Sequence, residues 1–238
     1  MESVYQTLIA RALQISQSQQ QQQQQQPNTT TGPVPRTIIS LSGPPGAGKS
    51  TIAATVIARL NALASKPFAI ALPIDGFHYP RKYLDGMTKS EEAHARRGAH
   101  WTFDAKGALQ LVKALHSSKA GQREVIYAPE FDHAGGDPVE GAIAVSPEIS
   151  LILIEGNYLA YNRSPWSEMG DYVDDTWFVD VDVEVARRRI AQRHLDSGIE
   201  KTMEEALRRV ESNDMLNNVD IHENLIKPAV VVYSVDEP

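Results

Sequence analysis

The stretch Gly43-Pro-Pro-Gly-Ala-Gly-Lys-Ser50 fits the pattern G-x-x-x-x-G-K-[ST]. It follows the apolar run at residues 37–41 and precedes residues 50–64, whose apolar side chains recur on one helix face. Glycines permit positive φ angles and leave room for backbone N–H groups to surround a polyphosphate. The sequence therefore predicts a phosphate-binding loop, since a chance glycine-rich turn would require the motif and both flanks to be accidental.

The loop assigns roles to particular residues. Lys49 is expected to reach the β- and γ-phosphates, and the Ser50 hydroxyl is expected to bind Mg²⁺. The following helix would point its positive end at the phosphates. Taken alone, the loop leaves GTPases, ATPases, motors and small-molecule kinases open. The predicted nucleotide-binding residues are Gly43, Pro44, Pro45, Gly46, Ala47, Gly48, Lys49, Ser50 and Thr51.

Length and composition narrow these classes. A chain of 238 residues is one domain, or one domain with a tail, which argues against large ATPase machines. The net charge of −7 favours small-molecule partners over nucleic acid or a membrane surface. No apolar stretch reaches the ~18 residues of a transmembrane helix. The absence of cysteine excludes disulfides and thiolate sites, and it fits a cytoplasmic location. A homodimer is a further possibility that the composition leaves open.

The chain divides near residue 36. We expect an amino-terminal helix at residues 1–18 that packs on the main domain, a disordered Gln-rich linker at 19–35, and one domain at 36–238. Apolar runs alternate with helical patterns in that domain, which predicts a doubly wound parallel α/β sheet of five strands flanked by helices. The predicted strands are 37–41, 68–74, 149–154, 176–181 and 229–235. The predicted helices are 50–64, 104–116, 184–194 and 203–212.

Two carboxylates stand where predicted strands end, and ligands of such sheets bind at the carboxyl ends. Asp75 could accept the proton of an attacking hydroxyl, although an Asp-Gly turn after a strand is also common. Glu155 closes a run of four apolar residues, which is a Walker B arrangement that would orient Mg²⁺, with a capping or solvated glutamate as the alternative. The two acids therefore predict a phosphoryl-transfer site.

Motifs across the domain resemble the uridine kinase, phosphoribulokinase and pantothenate kinase group of P-loop kinases. They lie at residues 73–78, 96–104, 129–133 and 155–158, within a resemblance that covers roughly residues 36–235. As a set they are most similar to a fructokinase-like or uridine kinase-like branch of bacteria and fungi. Uridine kinases usually carry Asp-Ser-Phe where this chain has Asp75-Gly-Phe, which leaves uridine itself open as the acceptor.

The resemblance implies roles for these residues. Asp75 is implied as the base that activates the substrate hydroxyl, and Glu155 as the Walker B acid that holds Mg²⁺ with Ser50. The implied catalytic residues are Lys49, Asp75, Glu155, Arg189 and Arg193. The implied substrate-binding residues are Asp75, His78, Arg97, Asp132 and His133.

Arg189 and Arg193 are four residues apart and share a helix face. In related kinases a comparable Arg-x-x-x-Arg helix forms a lid over the phosphates, where its arginines neutralise charge that develops during transfer. A solvated basic helix face is the alternative, and neighbouring arginines leave open which one dominates. Asn213, Asp214 and Asn217 follow this helix and by position would flank the adenine.

The acceptor site is less defined by sequence. Residues 75–106 are enriched in Lys and Arg for an acidic chain. This segment could admit a sugar phosphate or a carboxylate-bearing substrate, or it could be an ordinary solvated helix and loop. The chain lacks the Asn-Lys-x-Asp pattern of GTPases. We therefore expect an ATP- and Mg²⁺-dependent kinase that phosphorylates a hydroxyl of a small metabolite, with a catalytically weak nucleotide-binding regulatory protein as the alternative.

Overall fold

The computed structural model describes residues 1–24, 36–118, 124–132 and 134–236. Its strands are β1 (Thr37–Ser42), β2 (Ala69–Pro73), β3 (Ile126–Asp132), β4 (Asp137–Val145), β5 (Leu151–Gly156), β6 (Asp175–Val181) and β7 (Val230–Ser234). Five of them form a parallel sheet in the order β2-β5-β1-β6-β7, and β3 and β4 form a separate antiparallel hairpin. The predicted five-stranded parallel sheet is confirmed.

Helices flank this sheet. They are α1 (Glu2–Gln24), α2 (Lys49–Asn61), α3 (Arg81–Asp85), α4 (Ser90–Ala95), α5 (Ala105–Ser117), α6 (Val183–Asp196), α7 (Met203–Arg209) and α8 (Met215–Glu223). A π-helical turn, Val210–Asp214, joins α7 to α8, and short 3₁₀ turns span Ile74–Phe77, His100–Thr102 and Trp166–Tyr172. In the part of the chain that the structure describes, no helix combines the length and apolar character needed to cross a membrane.

The sheet is covered on both faces, which explains its nearly continuous apolar strands. Successive residues of β1 and β5 point to opposite sides. Ile39 and Leu153 pack in one core with α1, α2 and α6, whereas Ile38 and Ile152 pack in another core with α5. All six residues of β1 are buried, so the phosphate loop that follows starts from a fixed strand end.

Helix α1 packs on the domain through Tyr5, Leu8 and Ala12, which join the core beside α2. It also continues to Gln24, so the predicted helix end at residue 18 is wrong. Glutamine is a good helix former, and the Gln19 side chain accepts a hydrogen bond of 2.9 Å from the Thr37 hydroxyl. Residues 25–35 of the predicted linker lie outside the described residues.

The β3–β4 hairpin was not predicted from the sequence. Its strands are partly exposed and carry Pro129 and Pro138, so they show neither a buried apolar run nor strict alternation. It lies over the 3₁₀ turn that follows β2, where a Cβ on Gly76 would clash with the Pro129 carbonyl oxygen. The hairpin thereby covers the turn that carries Asp75.

Candidate active site

The phosphate loop joins β1 to α2 at the carboxyl end of the sheet. Gly46 and Gly48 have φ angles of 77° and 80°, which glycine adopts without strain. Gly46 also packs closely against α6, where a Cβ would crowd Ala186. Helix α2 begins at Lys49 directly after the loop, as the sequence motif predicted. The loop is therefore held in an anion-binding conformation by its backbone and by α6.

Lys49 is the buried cation of this site. Its Nζ donates a hydrogen bond of 3.0 Å to the Pro44 carbonyl oxygen across the loop. Burial lowers the pKa of Lys49 to about 8, while the Glu155 and Asp75 carboxylates raise it and the Arg193 charge lowers it further. Lys49 therefore lies within electrostatic range of Glu155, Asp75 and Arg193.

Glu155 and Ser50 are the candidate oxygen ligands for a metal, and their side chains are in contact. The Ser50 hydroxyl donates a hydrogen bond of 2.8 Å to Glu155 Oε1. Glu155 is only 7% exposed, and burial raises its pKa although Lys49 opposes the shift. Mg²⁺ is commonly bound by few protein oxygens together with substrate phosphates, and this hydroxyl–carboxylate pair fits it. No group of three or more His, Cys, Asp or Glu that could hold a metal occurs among the described residues.

Asp75 lies two residues beyond the end of β2. The parallel register pairs Pro73 of β2 with Glu155 of β5, which places Asp75 beside the Walker B acid. The turn is fixed because the His78 backbone N–H donates to the Asp75 carbonyl oxygen at 3.0 Å, and His78 Nδ1 lies 2.7 Å from the same oxygen. The structure thus brings the candidate base, the acid and the loop together at one edge of the sheet.

The two lid arginines differ in their contacts. Arg189 Nη1 donates to the Gly46 carbonyl oxygen at 3.2 Å and to the Ser234 hydroxyl at 2.9 Å. Arg193 is exposed, and its guanidinium has no hydrogen bond or ion pair to any other described residue. A cavity of about 840 Å³ lies between α6 and α7 and is lined by both arginines. Arg193 is therefore the arginine that can approach a transferring phosphoryl group without first breaking protein contacts.

The predicted substrate-binding residues have different surroundings. The His78 ring packs against the Phe103 ring at a tilt of 36°, with ring centroids 3.9 Å apart. Arg97 binds the β3–β4 hairpin through the Gly136 carbonyl oxygen and through Asp137, whose Oδ1 lies 2.7 Å from Nη2, and it also donates at 2.9 Å to the Tyr79 carbonyl oxygen just after the Asp75 turn. Through Gly136 and Asp137, Arg97 anchors the hairpin to the loop at residues 96–98. Direct contact of Arg97 with substrate therefore stays a prediction.

Asp132 lies at the tip of the β3–β4 hairpin. It is exposed and accepts a hydrogen bond of 2.9 Å from the Ala134 backbone N–H, which is the contact of a turn residue. His133 lies outside the described residues. The roles of both in substrate binding stay predictions.

Sequence reasoning placed Asn213 and Asn217 near the adenine, and the structure gives them other partners. Their side-chain oxygens accept hydrogen bonds from Arg96 Nε at 3.1 Å and from Arg96 Nη2 at 2.8 Å. Asn213 Nδ2 also donates to the Arg97 carbonyl oxygen at 3.0 Å. Both asparagines therefore hold the loop at residues 96–98 in place. The Arg-Arg-Gly motif at these residues marked the loop in the sequence, but it did not indicate that the asparagines would bind it.

Comparisons with known proteins agree with this geometry. The sequence profile of the Phosphoribulokinase / Uridine kinase family matches residues 38–215. The protein C227.14 of Schizosaccharomyces pombe, which carries a provisional uridine kinase name, is 42% identical over 197 residues, covering 83% of each chain. ATP-dependent kinase YFH7 of Saccharomyces cerevisiae is 33% identical over 205 residues, which span 73% of this chain and 58% of that protein.

Structural comparison gives the same fold. The YFH7 crystal structure, described as circularly permuted, matches with a TM-score of 0.81 and 22% identity over 98% of this chain and 99% of that one. A Silicibacter kinase provisionally assigned to fructose transport matches with a TM-score of 0.72 and 29% identity, covering 93% of this chain and 98% of that chain. The shared architecture is that of P-loop kinases.

Proposed function

Because the chain belongs to the phosphoribulokinase/uridine kinase family, we propose that it transfers the γ-phosphoryl group of ATP to a hydroxyl group of a small metabolite. Membership makes it a P-loop kinase, and the hydroxyl acceptor is the proposed part. One observation carries the proposal. Beside the phosphate loop, the Ser50 hydroxyl donates a hydrogen bond of 2.8 Å to the buried Glu155, and the register of β2 with β5 brings the candidate base Asp75 next to that acid.

Each of these residues has a task in the transfer. The loop amides and Lys49 hold the triphosphate. Ser50 and Glu155 would hold Mg²⁺, which when bound neutralises charge on the phosphate oxygens. Asp75 takes the proton of the acceptor hydroxyl as its oxygen bonds to the γ-phosphorus, and the bond from that phosphorus to the leaving oxygen of ADP breaks.

Arg193 closes on the equatorial oxygens of the transferring group. Charge builds on those oxygens during transfer, and a cation without competing protein contacts can follow it. Closure of the helix pair α6–α7 would also keep water out, which favours transfer over hydrolysis. Arg189, bonded to Gly46, then stabilises the loop.

The test gives purified protein Mg-ATP and a pooled library of sugars, nucleosides and hydroxy acids. Products heavier by one phosphoryl group are detected by mass. Asp75→Asn should bind ATP as the parent does while turnover falls about 10²-fold or more, because the general base is lost. Asp171→Asn, at an exposed position away from these residues, is the matched control and should retain activity.

Two results would contradict the proposal. Turnover of Asp75→Asn within about threefold of the parent would remove the base role, since general-base loss costs far more than that. Binding of ATP by the parent with no product from any pool would favour a nucleotide-binding regulatory protein instead.

A further inference from the structure

Arg96 is bonded in an unusual way for a half-buried cation. Its Nε donates to Asn213 Oδ1 at 3.1 Å and its Nη2 donates to Asn217 Oδ1 at 2.8 Å. Both partners are neutral amides, so the guanidinium is held in one orientation while its charge is left unbalanced. Its Nη1 has no protein partner among the described residues.

The acidic residues nearest to Asn213 and Asn217 in the chain have hydrogen-bond partners other than Arg96. Asp214 lies 3.0 Å from His194 Nε2, and Asp220 accepts a hydrogen bond of 2.8 Å from the Tyr161 hydroxyl. Within the described ranges, no carboxylate lies within 4.0 Å of the Arg96 guanidinium. The adjacent Arg97 is different, since Asp137 balances its charge. Arg96 is only partly buried and is oriented without an acidic partner among the described residues, so its guanidinium can accept an anion supplied by a ligand.

The asparagines that hold Arg96 come from a distorted helix. Asn213 lies in the π-helical turn Val210–Asp214, and Asn217 lies four residues later in α8. The two side chains are 4% and 2% exposed, so they are built into the protein and do not move freely on its surface. π-helical turns are rare and occur frequently at functional sites. Aspartate at either position would neutralise Arg96, whereas asparagine orients it and preserves its charge.

The loop that carries Arg96 is linked by contacts to the turn that carries Asp75. The Tyr158 hydroxyl donates at 2.8 Å to the carbonyl oxygen of Gly98, in the same loop as Arg96. Tyr158 is three residues beyond Glu155, and its ring meets Phe103 with centroids 5.6 Å apart. Phe103 in turn contacts His78, which is bonded to the Asp75 turn. The Arg96 loop and the candidate base are therefore joined through a short aromatic chain.

The electrostatic effect of Arg96 agrees with this position. Burial raises the pKa of Tyr158, and the Arg96 charge opposes that shift. Burial likewise lowers the pKa of His100, an effect that Arg96 increases. The charge of Arg96 therefore acts on Tyr158 and His100, which lie in and beside the aromatic chain that leads to the Asp75 turn.

We propose that Arg96 binds an anionic group, a carboxylate or a phosphate monoester, on the molecule whose hydroxyl is phosphorylated. This inference rests on the proposed kinase function and narrows its acceptor to hydroxy acids or sugar phosphates. Arg96 is then the residue that sets specificity. Asn213 and Asn217 are positioning residues, because they act through Arg96.

The test uses two pairs of acceptors that differ chiefly in an anionic group. Glycerate and glycerol test a carboxylate, and ribose 5-phosphate and ribose test a phosphate monoester. The parent, Arg96→Met and Arg208→Met each receive Mg-ATP and one acceptor, and transfer is followed by mass. Arg208 is an exposed residue of α7 that pairs with Glu204, so the control removes the same charge from the surface.

We expect the parent to prefer the anionic member of at least one pair. Arg96→Met should lower kcat/KM for that acceptor by about 10- to 100-fold, mainly through KM, as loss of a hydrogen bond to a charged group does. The KM for ATP and the turnover of neutral acceptors should not change, and the control should match the parent. The pair that responds identifies the anion.

A second variant keeps the test valid if Arg96→Met folds poorly. Asn217→Asp puts a carboxylate where an oxygen already lies 2.8 Å from Arg96 Nη2, so it neutralises the guanidinium and adds an ion pair. It should remove the preference for anions while the melting temperature is retained. Equal loss for charged and neutral acceptors, or no loss in either variant, would overturn the inference.

Binding measurements separate this inference from the proposed function. Calorimetry with the same four probes and ADP reports acceptor binding without transfer. An anionic probe that binds only when Arg96 is present, while no acceptor in the pooled library is phosphorylated, would support the anion site and contradict the proposed kinase. Transfer to neutral and anionic acceptors alike, unaffected by Arg96→Met, would support the kinase and refute the anion site.

Discussion

Glu155→Gln should separate stability from activity in this protein. The Glu155 carboxylate is buried, and its raised pKa means that the folded protein holds a proton there more tightly than the unfolded chain does. At neutral pH the ionised form therefore lowers stability. Glutamine keeps an oxygen that can accept the Ser50 hydrogen bond of 2.8 Å, and it removes the charge. The ligand-free variant should melt at a higher temperature than the parent.

The response to nucleotide should change in the opposite direction. Mg-ATP at 100 times its Kd should stabilise the parent by about 2.7 kcal/mol. For a chain of 238 residues this corresponds to an increase in Tm of about 5–10 °C. Glu155→Gln loses the acid that we propose orients Mg²⁺, so its increase in Tm should be roughly half or less, and turnover should fall about 10²-fold or more.

Thermal melts with and without Mg-ATP, together with initial rates, make this measurement. Glu148→Gln is the matched control, because Glu148 is exposed and a hydrogen bond from Ser146 lowers its pKa. The control should not raise the Tm and should respond to Mg-ATP as the parent does. A lower ligand-free Tm for Glu155→Gln, or an unchanged response to Mg-ATP, would refute the reasoning.

Two further predictions concern Lys49 and α1. ATP should bind about eightfold more weakly at pH 9 than at pH 7.5, because Lys49 with a pKa of about 8 loses its proton in that range; a constant Kd would contradict this. The unfolded chain keeps the Lys49 proton up to the ordinary pKa of lysine, whereas the folded protein loses it near pH 8. The free energy of unfolding should therefore rise with pH above about 8. Leu8→Ala should lower stability by about 3 kcal/mol in denaturant titrations, since Leu8 is fully buried. Leu63→Ala, at a position 65% exposed, should change little, and a similarly small effect for Leu8 would show that α1 does not stabilise the domain.

Much of the reaction centre was predictable from sequence. The loop at residues 43–50 constrains its own backbone through glycine, and parallel strands must end at a common edge. Asp75 and Glu155 could therefore be assigned to one site from their places after apolar runs, and the register of β2 with β5 brings them together. Local sequence patterns are enough to predict a site where backbone geometry allows few other conformations, as in a glycine-rich loop or at the end of a parallel strand.

Contacts between distant segments could not be predicted in this way. Arg96 and Arg97 are adjacent and chemically identical, and the sequence favoured Arg97. The fold gives Arg97 the partner Asp137, 40 residues away, whereas among the described residues the Arg96 side chain bonds only to the amides of Asn213 and Asn217. The same limit applies to α1, whose extension past residue 18 depends on a contact between Gln19 and Thr37.

The sequence by itself determined the sheet, the phosphate loop and the two acids at its edge, because hydrophobic periodicity and glycine-dependent geometry are local properties. Only the tertiary structure decided which arginine is left with an unbalanced charge. That outcome depends on which side chains of distant elements lie within a few ångströms. The Arg189 guanidinium is bonded to the phosphate loop, Ser234 and Asp236, whereas the Arg193 guanidinium has no protein partner among the described residues.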